Sequence, residues 1–248
     1  MIGFVILSGL LGLVVGSFLN VLIVRLPEGR SIVRPRSHCP RCGRPLRWFH
    51  NIPLLSWLAL RGRCAWCGGR ISWQYPLVEL ATGAIWAGNA VLWGATPRAG
   101  HAVVMLTLVL AIAVIDARHF LIPDELSLGG AAAGFLLSMA PGPPSVPESA
   151  IGSIVGGGLL WLVAILGSKA LKREAMGGGD IKMMAMLGAF LGWQGALLTI
   201  FLGALLGTLV FLPIAYRSDR LVPFGVFLAL GGTVSLYFGD ALLDWYLG

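Results

Sequence analysis

Long apolar runs constrain the fold of this chain more than any other feature of its sequence. Most of them reach the length of about 20 residues that crosses a bilayer. They occupy residues 2–24, 76–94, 100–118, 125–140, 149–171, 181–192, 195–216 and 222–246, of which 181–192 is the shortest. Because a chain in lipid must satisfy its backbone hydrogen bonds internally, such runs form helices. Only 12% of the 248 residues are charged, whereas soluble domains carry about a quarter. We therefore predict an all-α, multi-pass membrane bundle of about eight transmembrane helices.

The positions of Lys and Arg predict the orientation of this bundle. Ten of the 18 basic residues lie between Arg25 and Arg70. If the chain crosses the membrane once at each of the eight runs, every other basic residue except Arg98 lies on the same side of the membrane as region 25–70. An excess of Lys and Arg is typical of the cytoplasmic side. We expect region 25–75 to be cytoplasmic and both termini to face outward. The net charge of +7 then reflects topology and contact with anionic membrane lipid, and we expect no nucleic-acid partner.

The same pattern divides the chain into three predicted segments. Residues 1–24 form a first transmembrane helix, retained because the run lacks a basic start and a small-residue cleavage site. Residues 25–75 form a cytoplasmic loop, and residues 76–248 form a transmembrane bundle. Small residues spaced four apart favour close helix packing over chemistry. They are the pairs Gly152 and Gly156, Gly188 and Gly192, and Gly203 and Gly207.

Two C-x-x-C pairs in the 25–75 loop indicate a metal site. Their spacing is typical of a structural zinc site with four thiolate ligands and no open position. Two disulfides are the alternative, but the cytoplasm keeps thiols reduced. Such a site would fold a loop too small to build its own core. His38 and His50 are less favoured ligands than the four cysteines, which are Cys39, Cys42, Cys64 and Cys67.

Two aspartates next to apolar runs are candidate catalytic residues. Asp180 follows three glycines in the stretch 177–182, and Asp116 ends the run 100–118. Carboxylates beside hydrocarbon are expensive, so a functional role competes with helix capping at Asp180. If the two carboxyl groups meet at the same depth in the membrane, they would share one proton. One would then act as a base toward a water molecule, and the other would protonate the substrate carbonyl. Asp124 follows Pro123, so a turn or cap role is favoured there.

Other polar and aromatic residues near the loop allow more than one interpretation. Asn20 is predicted to form an interhelical hydrogen bond, whereas the role of Glu79 stays open. The segment 48–58 is apolar and aromatic. It fits either the core of the cysteine loop or an interfacial segment on the membrane.

Taken in order, these motifs resemble the type IV prepilin peptidases, which are bifunctional leader peptidases and N-methyltransferases. The resemblance implies that Asp180 is the G-x-G-D aspartate and Asp116 its catalytic partner. It implies a bacterial inner-membrane enzyme that cuts prepilins or pseudopilins after a glycine, between a basic leader and a hydrophobic helix. The new N-terminal residue, commonly phenylalanine, is then methylated with S-adenosylmethionine. One departure is Val226, where the family usually repeats proline. The similar stretches are 16–27, both cysteine pairs, 75–80, Asp116 with 121–124, 177–182 and 223–225.

The methyl-donor site is expected in the 25–75 loop, with Gly62 and Glu79 as candidate cofactor-binding residues. Three other functions remain open. A transporter or channel could use intramembrane aspartates, but we find no internal repeat of interrupted helices. A zinc-stabilised scaffold would not need two aspartates. A peptidase without methyltransferase activity would be expected to lack the cysteine-bearing loop.

Overall fold

All regular secondary structure described in this protein is helical. The computed structural model describes residues 1–215 and 223–248, which contain eight α-helices and one short 3-10 helix at Trp48–Asn51. Arg217 and Arg220, which were counted on the cytoplasmic side in the predicted orientation, lie outside the described residues. The predicted end of one apolar run at 216 and the predicted start of the next at 222 also lie outside them. The prediction of an all-α chain is confirmed.

The chain forms two compact units, residues 1–99 and 100–248. The predicted functional division at residue 75 stays a prediction. The first unit contains α1 (Ile2–Arg25), the short α2 (Leu55–Ala59), α3 (Gln74–Trp93) and the first residues of α4. The second unit contains the rest of α4 (Pro97–His119), α5 (Asp124–Leu137), α6 (Val146–Leu171), α7 (Gly178–Ala215) and α8 (Phe224–Leu247).

Five described helices have the length and composition to cross a membrane, so the predicted count of eight spans is not confirmed. They are α1, α4, α6, residues Gly178–Phe211 of α7 and Phe224–Tyr246 of α8. Helix α5 has 14 residues, fewer than the roughly 20 that span a bilayer. Helix α3 is long enough, but the polar residues Gln74, Glu79 and Asn89 are buried along it.

Glycines let α1 and α3 pack closely in the first unit. A Cβ atom on Gly12 would lie 2.8 Å from the Thr82 carbonyl oxygen, and one on Gly16 would lie 2.8 Å from the Glu79 Cα atom. Near this contact, the Asn20 Nδ2 atom donates to the Tyr75 carbonyl oxygen at 3.1 Å. The predicted interhelical hydrogen bond of Asn20 is therefore confirmed.

The second unit uses glycine in the same way between α6 and α7. Gly152 and Gly188 face each other so closely that a Cβ atom on either would clash with the other's carbonyl oxygen. A Cβ on Gly156 would lie 2.6 Å from the Met184 carbonyl oxygen, which confirms the close packing predicted from this spacing.

Gly192 has an additional role that the spacing did not predict. Its φ of 70° interrupts the helical path inside α7, and this left-handed region favours glycine. The runs 181–192 and 195–216 thus form two helical parts, as predicted, and these parts of α7 meet at a kink at Gly192.

Short motifs place the ends of the helices that carry polar residues. Ser145 and Glu148 form a reciprocal capping box at the start of α6, just after the proline-rich turn 140–144. Pro123 precedes the first residue of α5, in the position where a missing N–H leaves no helical bond unmade. Residues 120–123 are consequently held between the end of α4 and the start of α5.

Candidate functional site

Asp116 lies in the last turn and a half of α4, with its carboxyl group buried against the start of α8. The residue is 5% exposed. Its Oδ2 atom accepts a hydrogen bond from the Val226 N–H at 3.2 Å, and the Gly225 N–H also donates to the carboxylate. Both N–H groups belong to the first turn of α8, where backbone donors have no partner within their own helix. A helix N-terminus therefore holds the Asp116 carboxylate in place.

Asp180 lies in the first turn of α7, as its third residue. The helix begins at Gly178, so Asp180 does not occupy the capping position considered from sequence. Both aspartates flank Ile122: Gly179, next to Asp180, packs on it, and so does Gly225, which also contacts the Asp116 carboxylate. The Asp180 carboxyl group lies within electrostatic range of Asp116. The structure thus brings together the two aspartates that sequence reasoning paired.

Ile122 separates and positions the two helix starts that carry this site. A Cβ atom on Gly179 would lie 2.9 Å from the Ile122 Cβ atom, and one on Gly225 would lie 2.9 Å from its Cδ1 atom. Gly225 is doubly restricted, because its added Cβ would also lie 2.8 Å from Asp116 Oδ2. The glycines before Asp180 and in the 223–225 stretch therefore let two helices approach one buried side chain.

Val226 supplies a hydrogen bond that the residue typical of the resembled family could not make. Its N–H donates to Asp116, whereas proline has no N–H. The departure noted in the sequence is thus a change in how the carboxylate is held.

Asp124 does not share the position of the two paired aspartates. It forms a two-oxygen salt bridge with Lys182, whose Nζ atom lies 2.7 and 2.8 Å from the two carboxylate oxygens. This pair joins the start of α5 to the first turns of α7. Asp124 is the first residue of α5 and Pro123 occupies the cap position, so the cap role considered for Asp124 is wrong, whereas its ion pair is a structural contact.

The four cysteine sulfurs in the first unit form a cluster that could hold a metal ion. All four Sγ atoms lie within 4.8 Å of one another, and those of Cys39 and Cys67 are 3.9 Å apart. Four sulfurs at about 2.3 Å from a tetrahedral zinc ion are about 3.8 Å apart. No disulfide joins these cysteines, which are Cys39, Cys42, Cys64 and Cys67.

The two cysteine pairs have the same backbone hydrogen bonds, 25 residues apart. Gly43 N–H donates to the Cys39 carbonyl oxygen at 2.9 Å, and Gly68 N–H donates to that of Cys64 at 3.0 Å. Both glycines have φ near 67°, at 68° and 66°, a region that favours glycine. Backbone N–H groups of Cys67 and Trp66 lower the pKa of the Cys64 thiol to about 6. The geometry and the soft sulfur donors fit a zinc ion.

Gly62 and Glu79, the candidate cofactor-binding residues, each make a defined contact within the first unit. Gly62 has a φ of 66°, and a Cβ atom on it would lie 2.8 Å from the Trp57 ring. Glu79 is 6% exposed, and its Oε2 atom accepts the Leu54 N–H at 2.8 Å. Leu54 has a φ of 59°, which non-glycine residues rarely adopt. Both residues therefore hold the 48–62 segment in shape.

A cavity of about 410 Å³ lies at the end of α1, against this segment. The residues that line it include Arg36, Trp48 and Asn51, together with Phe18 and Val21 of α1. Its volume is in the range of small-molecule sites. Sequence reasoning noted the aromatic segment without predicting this cavity, which depends on how the loop folds back on α1.

Comparisons with known proteins identify the family. Residues 10–93 match the profile of the bacterial peptidase A24 N-terminal domain, and residues 103–212 match that of the type IV leader peptidase family. The chain is similar to the prepilin leader peptidase/N-methyltransferase of Myxococcus xanthus, at 45% identity over 220 residues, covering 89% of this chain and 66% of that protein. It is also similar to the proteins of the same name from Stutzerimonas stutzeri and Aeromonas hydrophila. The identity is 38% to each, covering 99% and 96% of this chain and 94% and 92% of those proteins.

No solved structure gives a significant match to the chain. The sequence relationship is nevertheless decisive, because the relatives are more than 30% identical and are matched over most of their length. The resemblance seen in the motifs is confirmed, and the chain belongs to the type IV leader peptidase family.

Proposed function

We propose that this protein is a membrane aspartyl endopeptidase that removes the leader of type IV prepilins or pseudopilins after a glycine. It then methylates the new N-terminal residue with S-adenosylmethionine. Family membership supports both activities. The observation that carries the proposal is the convergence of Asp116, near the end of α4 and bound by the start of α8, with Asp180 in the first turn of α7, both beside Ile122.

In this proposal the two aspartates hydrolyse the peptide bond without a covalent intermediate. Because the charge of Asp116 disfavours ionisation of Asp180, we expect the pair to hold one proton. The ionised carboxylate removes a proton from water, and the protonated carboxyl donates to the substrate carbonyl oxygen. The hydrogen bonds from the α8 N-terminus keep Asp116 oriented during this exchange. Ile122 and the adjacent glycines keep the starts of the two helices at a constant separation.

The proposed location is the bacterial inner membrane, with the cysteine-bearing loop and the active site at its cytoplasmic face. Ten of the 18 basic residues lie between Arg25 and Arg70, which supports this orientation. The same basic residues would contact anionic lipid headgroups. We expect no nucleic-acid partner. Purified enzyme in detergent, mixed with a prepilin with and without S-adenosylmethionine and analysed by intact mass, tests both activities together.

The four-cysteine cluster is proposed to bind one structural zinc ion per chain. Replacing Cys39 or Cys64 by serine should reduce the zinc content to near zero, because three thiolates hold zinc far less tightly than four. Elemental analysis of the purified protein measures this. His38→Ala is the matched control and should retain its zinc, since the cluster of candidate ligands contains the four cysteines and not His38. Paired disulfides and no metal in protein taken from native membranes would contradict the assignment.

The methyltransferase activity is proposed to belong to region 25–75. The residue types that line the cavity, which include Arg36, Trp48 and Asn51, are suited to binding S-adenosylmethionine. The aromatic ring is suited to stack on an adenine and the guanidinium to bind a carboxylate. S-adenosylmethionine would supply the transferable methyl group. Glu79 and Gly62 would contribute by keeping the cavity's 48–62 wall in shape.

Variants of Gly62 and Glu79 should therefore reduce methylation more than cleavage. We expect Gly62→Leu and Glu79→Gln to reduce methylation by at least about tenfold, since small displacements of positioning groups have effects of this order. Gly29→Leu is the matched control, because Gly29 has a φ of 61° but no atom within 4 Å of its added Cβ. The ratio of methylated to cut product, read by mass, measures the effect. Equal losses of both activities would contradict this assignment.

A further inference from the structure

A second cavity lies beside the start of α7, in the unit that contains the paired aspartates. Its volume is about 420 Å³. The last turns of α6 form one wall, and the segment 174–178 forms the other. Gly178, two residues before Asp180, lies in this second wall. The cavity therefore borders the segment that carries one of the two proposed catalytic residues.

The wall opposite α6 is held by specific contacts. Lys172 follows α6 with a φ of 55°, which turns the chain back along the helix. The Ala175 N–H then donates to the Ser168 Oγ atom at 3.1 Å. A Cβ atom on Gly167 would lie 2.8 Å from the Ala175 Cβ atom. Segment 172–177 is thus held against α6, and the space between them is a groove open to the surface.

The lining of this cavity changes from apolar to charged along α6. Trp161, Ala164 and Ile165 provide apolar surface, and Trp161 is 57% exposed. Lys169 and Glu174 provide one positive and one negative charge at the other end, and both are exposed. Trp161 and Lys169 are eight residues apart on one helix, or about 12 Å. The cavity thus presents an apolar end and a charged end within the length of a short peptide.

We infer that this cavity binds the junction of the substrate, where a basic leader meets a hydrophobic helix. The inference rests on the proposed peptidase function. The first turns of the substrate's hydrophobic helix lie against Trp161, Ala164 and Ile165, and the Glu174 carboxylate faces a cation of the leader. Lys169, in the same lining, opposes that cation. The peptide bond between the two parts of the substrate then lies next to Gly178, within reach of the proposed catalytic pair (the dyad), Asp116 and Asp180.

The two charged residues allow a test in which the expected changes have opposite signs. With a substrate that has a basic leader, Glu174→Gln should lower kcat/KM for cleavage by about two- to fivefold, the range expected for an exposed ion pair. Lys169→Gln should raise kcat/KM by a similar factor. With a substrate whose leader lysines and arginines are replaced by glutamine, neither variant should change kcat/KM. Loss of folding cannot produce this pattern, because it lowers activity in every case.

Two further variants complete the experiment. Trp161→Ala should lower kcat/KM about tenfold for both leaders, because the apolar contact does not depend on charge. Asp244→Asn is the matched control for removal of an exposed carboxylate, at the end of α8 far from Asp116, and should have no effect. Changes of the same sign, or no changes, in the Glu174 and Lys169 variants would overturn the inference. If the wild-type enzyme cuts no prepilin, the proposed function itself fails, which is a distinct result.

Discussion

Asp116→Asn and Asp180→Asn enzymes are each expected to lose prepilin cleavage by more than about 10⁴-fold. A single acid–base group contributes about 10²–10⁴, and two groups that act as a unit lose nearly everything when either is removed. Asparagine has nearly the size of aspartate, so both variants should insert and keep their helical content. Rates of leader removal by purified enzyme, beside circular dichroism spectra, measure this result.

Asp124→Asn is the control for the dyad variants. Asp124 binds Lys182 on the exposed side of the α5 and α7 starts, and such ion pairs contribute at most about 1 kcal/mol. This variant should retain substantial activity. Near wild-type cleavage by Asp180→Asn, or complete loss in Asp124→Asn with both dyad variants active, would contradict the assignment of roles.

Gly225→Ala is expected to reduce cleavage by about 10²-fold without unfolding the protein. The added Cβ would lie 2.8 Å from Asp116 Oδ2 and 2.9 Å from Ile122 Cδ1. These atoms are the ends of side chains and can move, so the substitution should displace the carboxylate and leave the backbone in place. Misplacing a reacting group by about 1 Å has effects of this size. Steady-state cleavage and thermal unfolding, measured in parallel, separate the two effects.

Gly239→Ala, on the same helix, is the matched control for this substitution. Its added Cβ would make ordinary contacts, at 3.6 Å from Ser235 Oγ and 3.8 Å from Leu198 Cδ2. Activity and stability should both stay near those of the wild type. Full activity in Gly225→Ala, with Asp116 still essential, would show that the carboxylate tolerates displacement and that its contact with α8 is dispensable.

The sequence allowed the pairing of Asp116 with Asp180, because Asp116 ends one apolar run and Asp180 directly precedes another on the same predicted side of the membrane. It could not predict how Asp116 is held. That contact joins α4 to Gly225 and Val226, about 110 residues later, and no local pattern records it. Ile122 was overlooked for the same reason. An isoleucine before a proline has no distinctive sequence signal until two glycine-bearing helix starts pack against it.

The start of α7 was predicted wrongly for a related physical reason, and the predicted count of eight spans is not confirmed. Glycine has a low helix propensity, so a helix start after the glycines was the natural expectation, yet α7 begins at Gly178. Packing of Gly179 on Ile122 outweighs that propensity. The apolar run at α3 resembles a span in sequence, but its polar residues are buried against α1 and the cysteine loop.

Close helix packing and the cysteine cluster were easier to predict from the sequence, because each depends on a regular local spacing of residues. Gly152 and Gly156 lie one turn apart on the α6 face that meets α7, and this spacing alone indicates close approach. The two C-x-x-C turns repeat the same hydrogen bonds, so their sulfurs converge once the loop closes. The role of Glu79 was left open because its partner is a backbone N–H of Leu54, which no side-chain motif marks.

Cleavage is proposed to need Asp116 and Asp180 and methylation to need region 25–75, so a variant of either aspartate should lose only the first activity. The most direct test gives Asp180→Asn enzyme and S-adenosylmethionine either uncut prepilin or pilin from which the leader has already been removed. The intact mass of each product is then measured. We predict that uncut prepilin is unchanged, because the acceptor amine never forms, and that pre-cut pilin gains one methyl group at its N-terminus. A folded Asp180→Asn enzyme that cuts prepilin, or that fails to methylate pre-cut pilin, would contradict this assignment of the two activities.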